Sequence, residues 1–432
     1  MVSNQFFVKK GPYPLKEIIK AIDCTNNYSN VKDFEIHGVE SLVNAKENDM
    51  TFLNSSRYKD VSLKTKAAAC ITSSNLSKFL PNKCIKLNVK NILLAVTKVS
   101  KMFYPKADLD YPDINLIDSN EIKNKYPEVN FGKNVFIGKN VQIDKNTFVG
   151  SNCIIESNVK IGKNCVIGSL VIIKYSIIND YVCIKDGSKI GIKGFGFIPI
   201  GQKNIRTPQI GKVILGEGVE IGANCTIDRG SVSDTIIGRN TFLDNHIQIA
   251  HNVKIGTNCM MAAQVGIAGS TTIGDNTVIG GQAGISGHLK IGNNVKIGGA
   301  SGVIRDIPDN SQVMGYPAVP LRDFVKMSFA EAGIALEFKG EGVNEKAFVI
   351  SCANPEYQLE IGKEVLAIDP IYVRPTEVEL LIGDATKAKE KLGWIPEYDL
   401  KFLVKEMMDS DLHLMQKKQY LKEGGYTTLN YF

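Results

Sequence analysis

From Ile237 to Val303 an aliphatic residue recurs at every sixth position: Ile237, Leu243, Ile249, Ile255, Met261, Ile267, Ile273, Ile279, Ile285, Ile291, Ile297 and Val303. A period of six is neither the 3.6 of a helix nor the plain alternation of a strand. It is the hexapeptide period of a parallel β-helix, in which each unit of six forms one side of a coil. An earlier run with the same period goes from Phe131 through Ile137, Ile143, Val149, Ile155, Ile161 and Ile167 to Ile173. After a phase slip it resumes at Ile178, Ile184 and Ile190, and again at Leu215, Ile221 and Ile227. The segment KGFGFIPIGQKNIRTPQIGK is glycine- and proline-rich, falls out of phase, and reads as a loop thrown out of the coil. SVSD then shifts the phase before the long run begins. Asn recurs three places after the apolar residue, at Asn134, Asn140, Asn146, Asn152, Asn158 and Asn164. A coil corner can need a left-handed residue there, which Asn tolerates.

The flanks differ. Residues 1–104 read as a small α+β domain, with an amphipathic helix in GPYPLKEIIKAI, short strands at MTFLN and AAACITSS, and a closing helix at NILLAVTKVSKMF. Residues 105–128 are proline-bearing and polar and read as a linker. The coil occupies 129–317, and 318–327 form a helical junction. Residues 328–432 are an α/β-like tail without hexads. The fold class expected is therefore mainly β: a parallel β-helix, whose hand the period leaves open, between two smaller α/β-type segments.

Composition narrows the function classes. The 432 residues are 44% hydrophobic and 22% charged, ordinary for a soluble protein. The net charge of +6 is mild, and no basic block interleaved with aromatics points to nucleic acid. The nine cysteines form no CxxC pair, and no signal peptide is evident, which implies reduced thiols and a cytoplasmic location. No apolar run reaches the roughly 18 residues of a membrane span.

Folding the ruler into coils of three hexads aligns the candidate chemistry. His251 and His288 are two coils plus one residue apart, so both lie near one corner. Two strand spacings separate them, roughly 10 Å. Neither occupies a core position of the hexad. One substrate could touch both, although two solvated corner histidines would look the same in sequence. Gly269 falls one coil after His251, where a bare backbone N–H could hold a developing oxyanion or the glycine could simply suit the turn. His246 and His251 have the spacing of the zinc pair in gamma-class carbonic anhydrases. The third ligand position there would be Ile210, so no metal is expected. Phe52, Tyr58 and the aromatics of FGF at 195–197 could stack on a nucleobase or belong to the core. In the tail, RPTEVE places Arg374 and Glu377 where they suit either a nucleotide diphosphate or a surface ion pair.

With these residues noted, about residues 1–320 resemble UDP-3-O-(3-hydroxyacyl)glucosamine N-acyltransferase, an enzyme of lipid A assembly. The resemblance rests on TFLNSSRY, GFGF, IGANCTIDRG, LDNHIQIAHNVKIG, GIAGS, SGHLKIG and IGGASGV. It implies that the coil is a left-handed parallel β-helix and that the protein is a homotrimer. It also implies transfer of a 3-hydroxyacyl group from acyl carrier protein to the 2-amine of a UDP-linked, 3-O-acylated glucosamine. Carried over by residue, it makes His251 the general base, His288 the second active-site histidine and Gly269 the oxyanion donor. Asp244 is a possible orienter of the base. The uridine motif of the family is aromatic, two residues, Asn, two residues, Tyr. Phe52 and Tyr58 match, but Ser55 stands at the Asn position, with Asn54 one place early. No cofactor is implied beyond the phosphopantetheine of the carrier protein. Related hexapeptide O-acyl- or acetyltransferases, or an inactive trimeric scaffold with a foreign tail, are the rival classes.

From about residue 322 the chain resembles instead the C-terminal part of GDP-mannose 4,6-dehydratase, at FAEAGIALE, EGVNEK, IDPIYVRPTEVELLIGDATKAKEKLGW and GGY. Such a dehydratase needs a Rossmann GxGxxG and a YxxxK pair upstream. Neither occurs in the tail, so the tail is not expected to work as a dehydratase.

Overall fold

The computed structural model describes residues 5–25, 28, 31–313, 321–340, 344–368, 398 and 400–424. The chain divides into two compact units, Met1–Val313 and Met314–Phe432.

The first unit opens with four parallel strands in the order Gly38–Val39, Asp49–Phe52, Ala69–Thr72, Ile85–Asn88. Helices Leu15–Ala21 and Ile92–Phe103 cover one face. Asn91 starts the second helix, its Oδ1 accepting from Leu94 N at 2.9 Å. Ala95, Val96, Val99 and Phe103 then recur at helical spacing and are buried with Met50, Ile71 and Leu87. Cys70 points to the opposite face, where Leu53, Ala67, Leu80 and Cys84 form a second small cluster.

The coil is a prism of three sheets, two of 10 strands and one of 8, parallel throughout except for one antiparallel strand at an end. It is a left-handed β-helix, with the stacked coils that the hexads imply. Ruler residues stack on their own kind in adjacent coils. Ile237 lies over Ile255, Ile273 and Ile291, and Ile249 over Ile267, Ile285 and Val303. All of these are buried in one continuous core. The corners take left-handed Asn residues, Asn134 at φ 54° and Asn258 at φ 56° among them. The Asn side chains are themselves laddered: Asn240 Nδ2 donates to Asn258 Oδ1 at 2.9 Å, and Asn258 Nδ2 to Asn276 Oδ1 at 3.3 Å. Alanine at this corner loses the ladder and also carries the left-handed strain that glycine avoids. Asn258→Ala is therefore expected to be about 1 kcal/mol less stable than Asn258→Gly in thermal melts.

The out-of-phase segment is a β-hairpin, Phe197–Ile200 paired with Lys203–Arg206. Just past it, Ile210 packs into the core of the N-terminal domain. Residues 105–128, expected as a linker, instead lie along the coil. Strand Ile117–Asp118 pairs antiparallel with Phe136–Ile137. Asp113 accepts from Ser157 Oγ at 2.5 Å, and Asp110 pairs with Arg229 at 3.0 Å. Their charges supply partners that composition alone does not reveal.

In the second unit a three-stranded antiparallel sheet, Ile334–Lys339, Lys346–Cys352 and Glu364–Ala367, lies with helices Leu321–Glu331 and Leu400–Glu423. Ala332, Ile334, Leu336, Ala347 and Val349 make its core. Val325 and Phe329 pack on that core, so the helix the sequence sets apart as a junction belongs to this unit. Arg374 and Glu377 lie outside the described residues.

Candidate active site

The site is one corner of the prism. Strands Gln248–Ile249, Gly266–Ile267 and Gly284–Ile285 are successive rungs of one sheet, and the chain turns after each. His251 follows the first, Gly269 the second and His288 the third. Ser270 N donates to His251 O at 2.9 Å and His288 N to Gly269 O at 3.0 Å. The three residues the sequence aligned are thus contiguous. His288 is one of the left-handed corner residues, at φ 62°.

The His251 ring lies flat over Gly269. A Cβ on Gly269 would come within 2.7 Å of Cε1 and 2.8 Å of Nε2 of that ring. Glycine is required by this close approach. Among the described residues the Gly269 N–H has no protein acceptor, which leaves it free for a ligand oxygen.

The tautomer of His251 follows from its neighbour. Its Nδ1 is 2.9 Å from Asn252 Oδ1. Asn252 Nδ2 donates to Ser233 O at 2.7 Å, and a carbonyl can only accept, so the orientation of the amide is fixed. Asn252 Oδ1 is an acceptor, and it also receives Ser231 N at 3.0 Å and Ser231 Oγ at 2.8 Å. His251 Nδ1 must therefore carry a proton, so in the neutral ring Nε2 is the nitrogen with the free lone pair. The SVSD segment that interrupts the ruler is what locks Asn252. Asn252 was missed as a site residue, although it is the last letter of the IAHN motif.

The N-terminal domain reaches this corner through the turn Ser56–Tyr58. Tyr58 Oη lies 2.8 Å from His288 Nδ1, and Arg57 Nη1 donates to His288 O. Burial, then the Arg57 and His251 charges, hold the His288 imidazole below the ordinary histidine range. Burial pushes the Tyr58 phenol up, against a smaller opposing pull from Arg57. Ser55 caps this turn, its Oγ accepting from Arg57 N at 3.3 Å, and Asn54 is exposed. Phe52 is half-buried and packs on the domain core, and Tyr58 packs on the second small cluster, so both aromatics also have a structural share.

Asp244 lies elsewhere. It follows strand Phe242–Leu243 of another sheet, is exposed, and its Oδ1 accepts from Asn245 Nδ2 at 2.8 Å. Within the chain the ring partner of His251 is Asn252. His246 turns the same corner as Asp244 and is likewise apart from His251. Among the described residues no three His, Cys, Asp or Glu side chains are grouped to hold a metal.

A cleft of about 550 Å³ opens beside Ala250, lined by Asp228, Gln248, Lys193, Arg206, Phe195 and Phe197 among others. The hairpin of the thrown-out loop forms one wall. Phe195 is 86% exposed and meets Phe197 edge-on at 5.0 Å. Burial raises the Asp228 carboxyl, opposed by its hydrogen bond to Gln248 and by the charge of His251. Arg229, fully buried, lies 4.2 Å over the Tyr175 ring and anchors Asp110. Asp228 and Arg229 also went unnoticed, although IDRG holds both.

Comparison with known proteins decides the family. A chain from Granulibacter bethesdensis described as UDP-3-O-acylglucosamine N-acyltransferase is 42% identical over 331 residues, covering 74% of this chain and 94% of that one. The protein belongs to the UDP-3-O-acylglucosamine N-acyltransferase family. A Legionella pneumophila member is 38% identical, covering 76% of this chain and 95% of its own. The family model for UDP-3-O-(3-hydroxymyristoyl) glucosamine N-acyltransferase matches residues 33–102, and hexapeptide transferase models match 134–175, 234–269 and 270–299. The protein is thus an acyltransferase. The model for GDP-mannose 4,6 dehydratase matches 305–407. A Vibrio cholerae protein of that name is 47% identical over 107 residues, which are 24% of this acyltransferase chain and only 29% of the dehydratase. No helix among the described residues is long and apolar enough to cross a membrane.

Proposed function

We propose that this acyltransferase moves a 3-hydroxyacyl group from the phosphopantetheine thioester of acyl carrier protein to the 2-amine of UDP-3-O-(3-hydroxyacyl)glucosamine, a step of lipid A assembly. His251 is the general base. The amine is largely ammonium at neutral pH, and only its deprotonated form attacks a thioester. Nε2 of His251 takes a proton from the nitrogen as the C–N bond forms. The carbonyl oxygen gathers charge and is held by the Gly269 N–H. Collapse breaks the C–S bond, and the proton on Nε2 passes to the departing thiolate. His288 positions the sugar or diphosphate, and Phe52 and Tyr58 flank the uracil. The enzyme works as a homotrimer in the cytoplasm. Its free cysteines suit a reducing compartment.

The observation that carries this reading is the free Nε2 of His251 lying against Gly269, one coil from His288. Mass spectrometry with acyl carrier protein thioester and two UDP-sugars, one with the 2-amine and one with only hydroxyls, tests it. Amide product from the amine alone is expected. An ester from the hydroxyl sugar would overturn the assignment in favour of O-acyl transfer.

The tail carries no part of this chemistry. Removing residues 321–432 is expected to leave kcat/KM within about twofold of the full chain. Loss of soluble trimer on removal, read by light scattering, would instead give the tail an assembly role.

A further inference from the structure

Tyr58 and His288 are 230 residues apart in the chain and 2.8 Å apart at Oη and Nδ1. We propose that Tyr58 is a positioning residue for His288, fixing the imidazole so that Nε2 carries the proton and faces substrate as a hydrogen-bond donor. The inference rests on the function proposed above and adds to it a second task for the uracil-flanking tyrosine.

The phenol is protonated at neutral pH, since burial raises it. The imidazole is neutral, since burial and Arg57 depress it. A phenol O–H is a stronger donor than an imidazole N–H, and an imidazole nitrogen a stronger acceptor than a phenol oxygen, so the favoured pairing has Tyr58 Oη donating to His288 Nδ1. The single ring proton must then sit on Nε2. His251 is arranged the opposite way: Asn252 takes its Nδ1 proton and leaves Nε2 as the acceptor. The two histidines of one corner are thus held in opposite tautomers, one to take a proton and one to offer one.

The backbone of His288 is gripped as well. Its φ of 62° fixes it at the corner, and Arg57 Nη1 donates to its carbonyl. Arg57 and Tyr58 lie on one short turn, capped by Ser55. Whatever orders that turn, uracil included, therefore orders His288. The nucleotide subsite and the acyl-transfer corner are joined through this one turn.

Tyr58→Phe keeps the ring that would stack on uracil and deletes only the hydroxyl. With acyl carrier protein thioester and the UDP-linked amine sugar, kcat is expected to fall about five- to tenfold, the worth of one such hydrogen bond. The Kd of UDP alone, by calorimetry, is expected to stay within about twofold. Tyr58→Ala, which removes the ring as well, is expected to weaken UDP in addition. Wild-type kcat in Tyr58→Phe would overturn the inference and leave the parent function standing. A kcat loss matched by an equal loss of UDP affinity would also overturn it, since the hydroxyl would then serve the nucleotide. A wild-type chain that transfers no acyl group to the amine would remove both.

Discussion

His251→Ala is expected to lower N-acyl transfer by about a thousandfold while the oligomeric state and the melting temperature stay near those of the wild type. General-base catalysis by a placed side chain contributes about 10² to 10⁴ in rate. Here Asn252 holds His251 in the one tautomer that leaves Nε2 as the acceptor, so a loss near the middle of that range applies. The fold does not depend on it. His251 is half-buried at a corner, its ring held by one hydrogen bond to Asn252 and by contact with Gly269. The stacked core at this level is made by Ile249 and Ile267, which the substitution leaves alone. Steady-state rates on purified protein, with light scattering and a thermal melt beside them, check the expectation. Rates within tenfold of wild type would remove His251 as the base. A dead variant with an altered oligomeric state would show that the residue serves assembly.

Much of this was legible in the sequence because hexad folds repeat. A fixed register of 18 residues per coil turns sequence distance into position, so the spacing of His251, Gly269 and His288 alone aligns them at one corner. The repeat fails where the chain leaves it. SVSD reads only as a phase slip of four residues, yet Ser231 and Ser233 lock Asn252 and hence the His251 tautomer. The Tyr58 contact to His288 crosses from the N-terminal domain, and no periodicity links that domain to the coil. Asp244 shows the opposite limit. Sequence placed it at the start of the coil side that ends at His251, and the prism puts a whole side between them. The linker deceived for a different reason. Polar residues at 105–128 look solvated until Arg229 and Ser157 appear as their partners.

Gly269→Ala is expected to lower kcat by about a hundredfold with little change in stability, a loss that comes through the base and not through the oxyanion. The added methyl would meet three atoms of the His251 ring, at 2.7, 2.8 and 3.1 Å. Contacts that short cannot persist. The backbone of Gly269 is tied by its carbonyl to His288 N at 3.0 Å, so the ring is the part that must move. Swinging it away breaks the bond to Asn252 Oδ1 and frees the tautomer. A displacement near 1 Å at a reacting group can cost about 10²-fold. The Gly269 N–H survives the substitution, so an unchanged donor beside a displaced base separates the two roles assigned to this corner. Since the ring stands outside the core stack, the melting temperature should hold. Wild-type kcat in Gly269→Ala would mean that the ring has another resting place from which it still works, and the close packing of His251 on Gly269 would then carry no catalytic meaning.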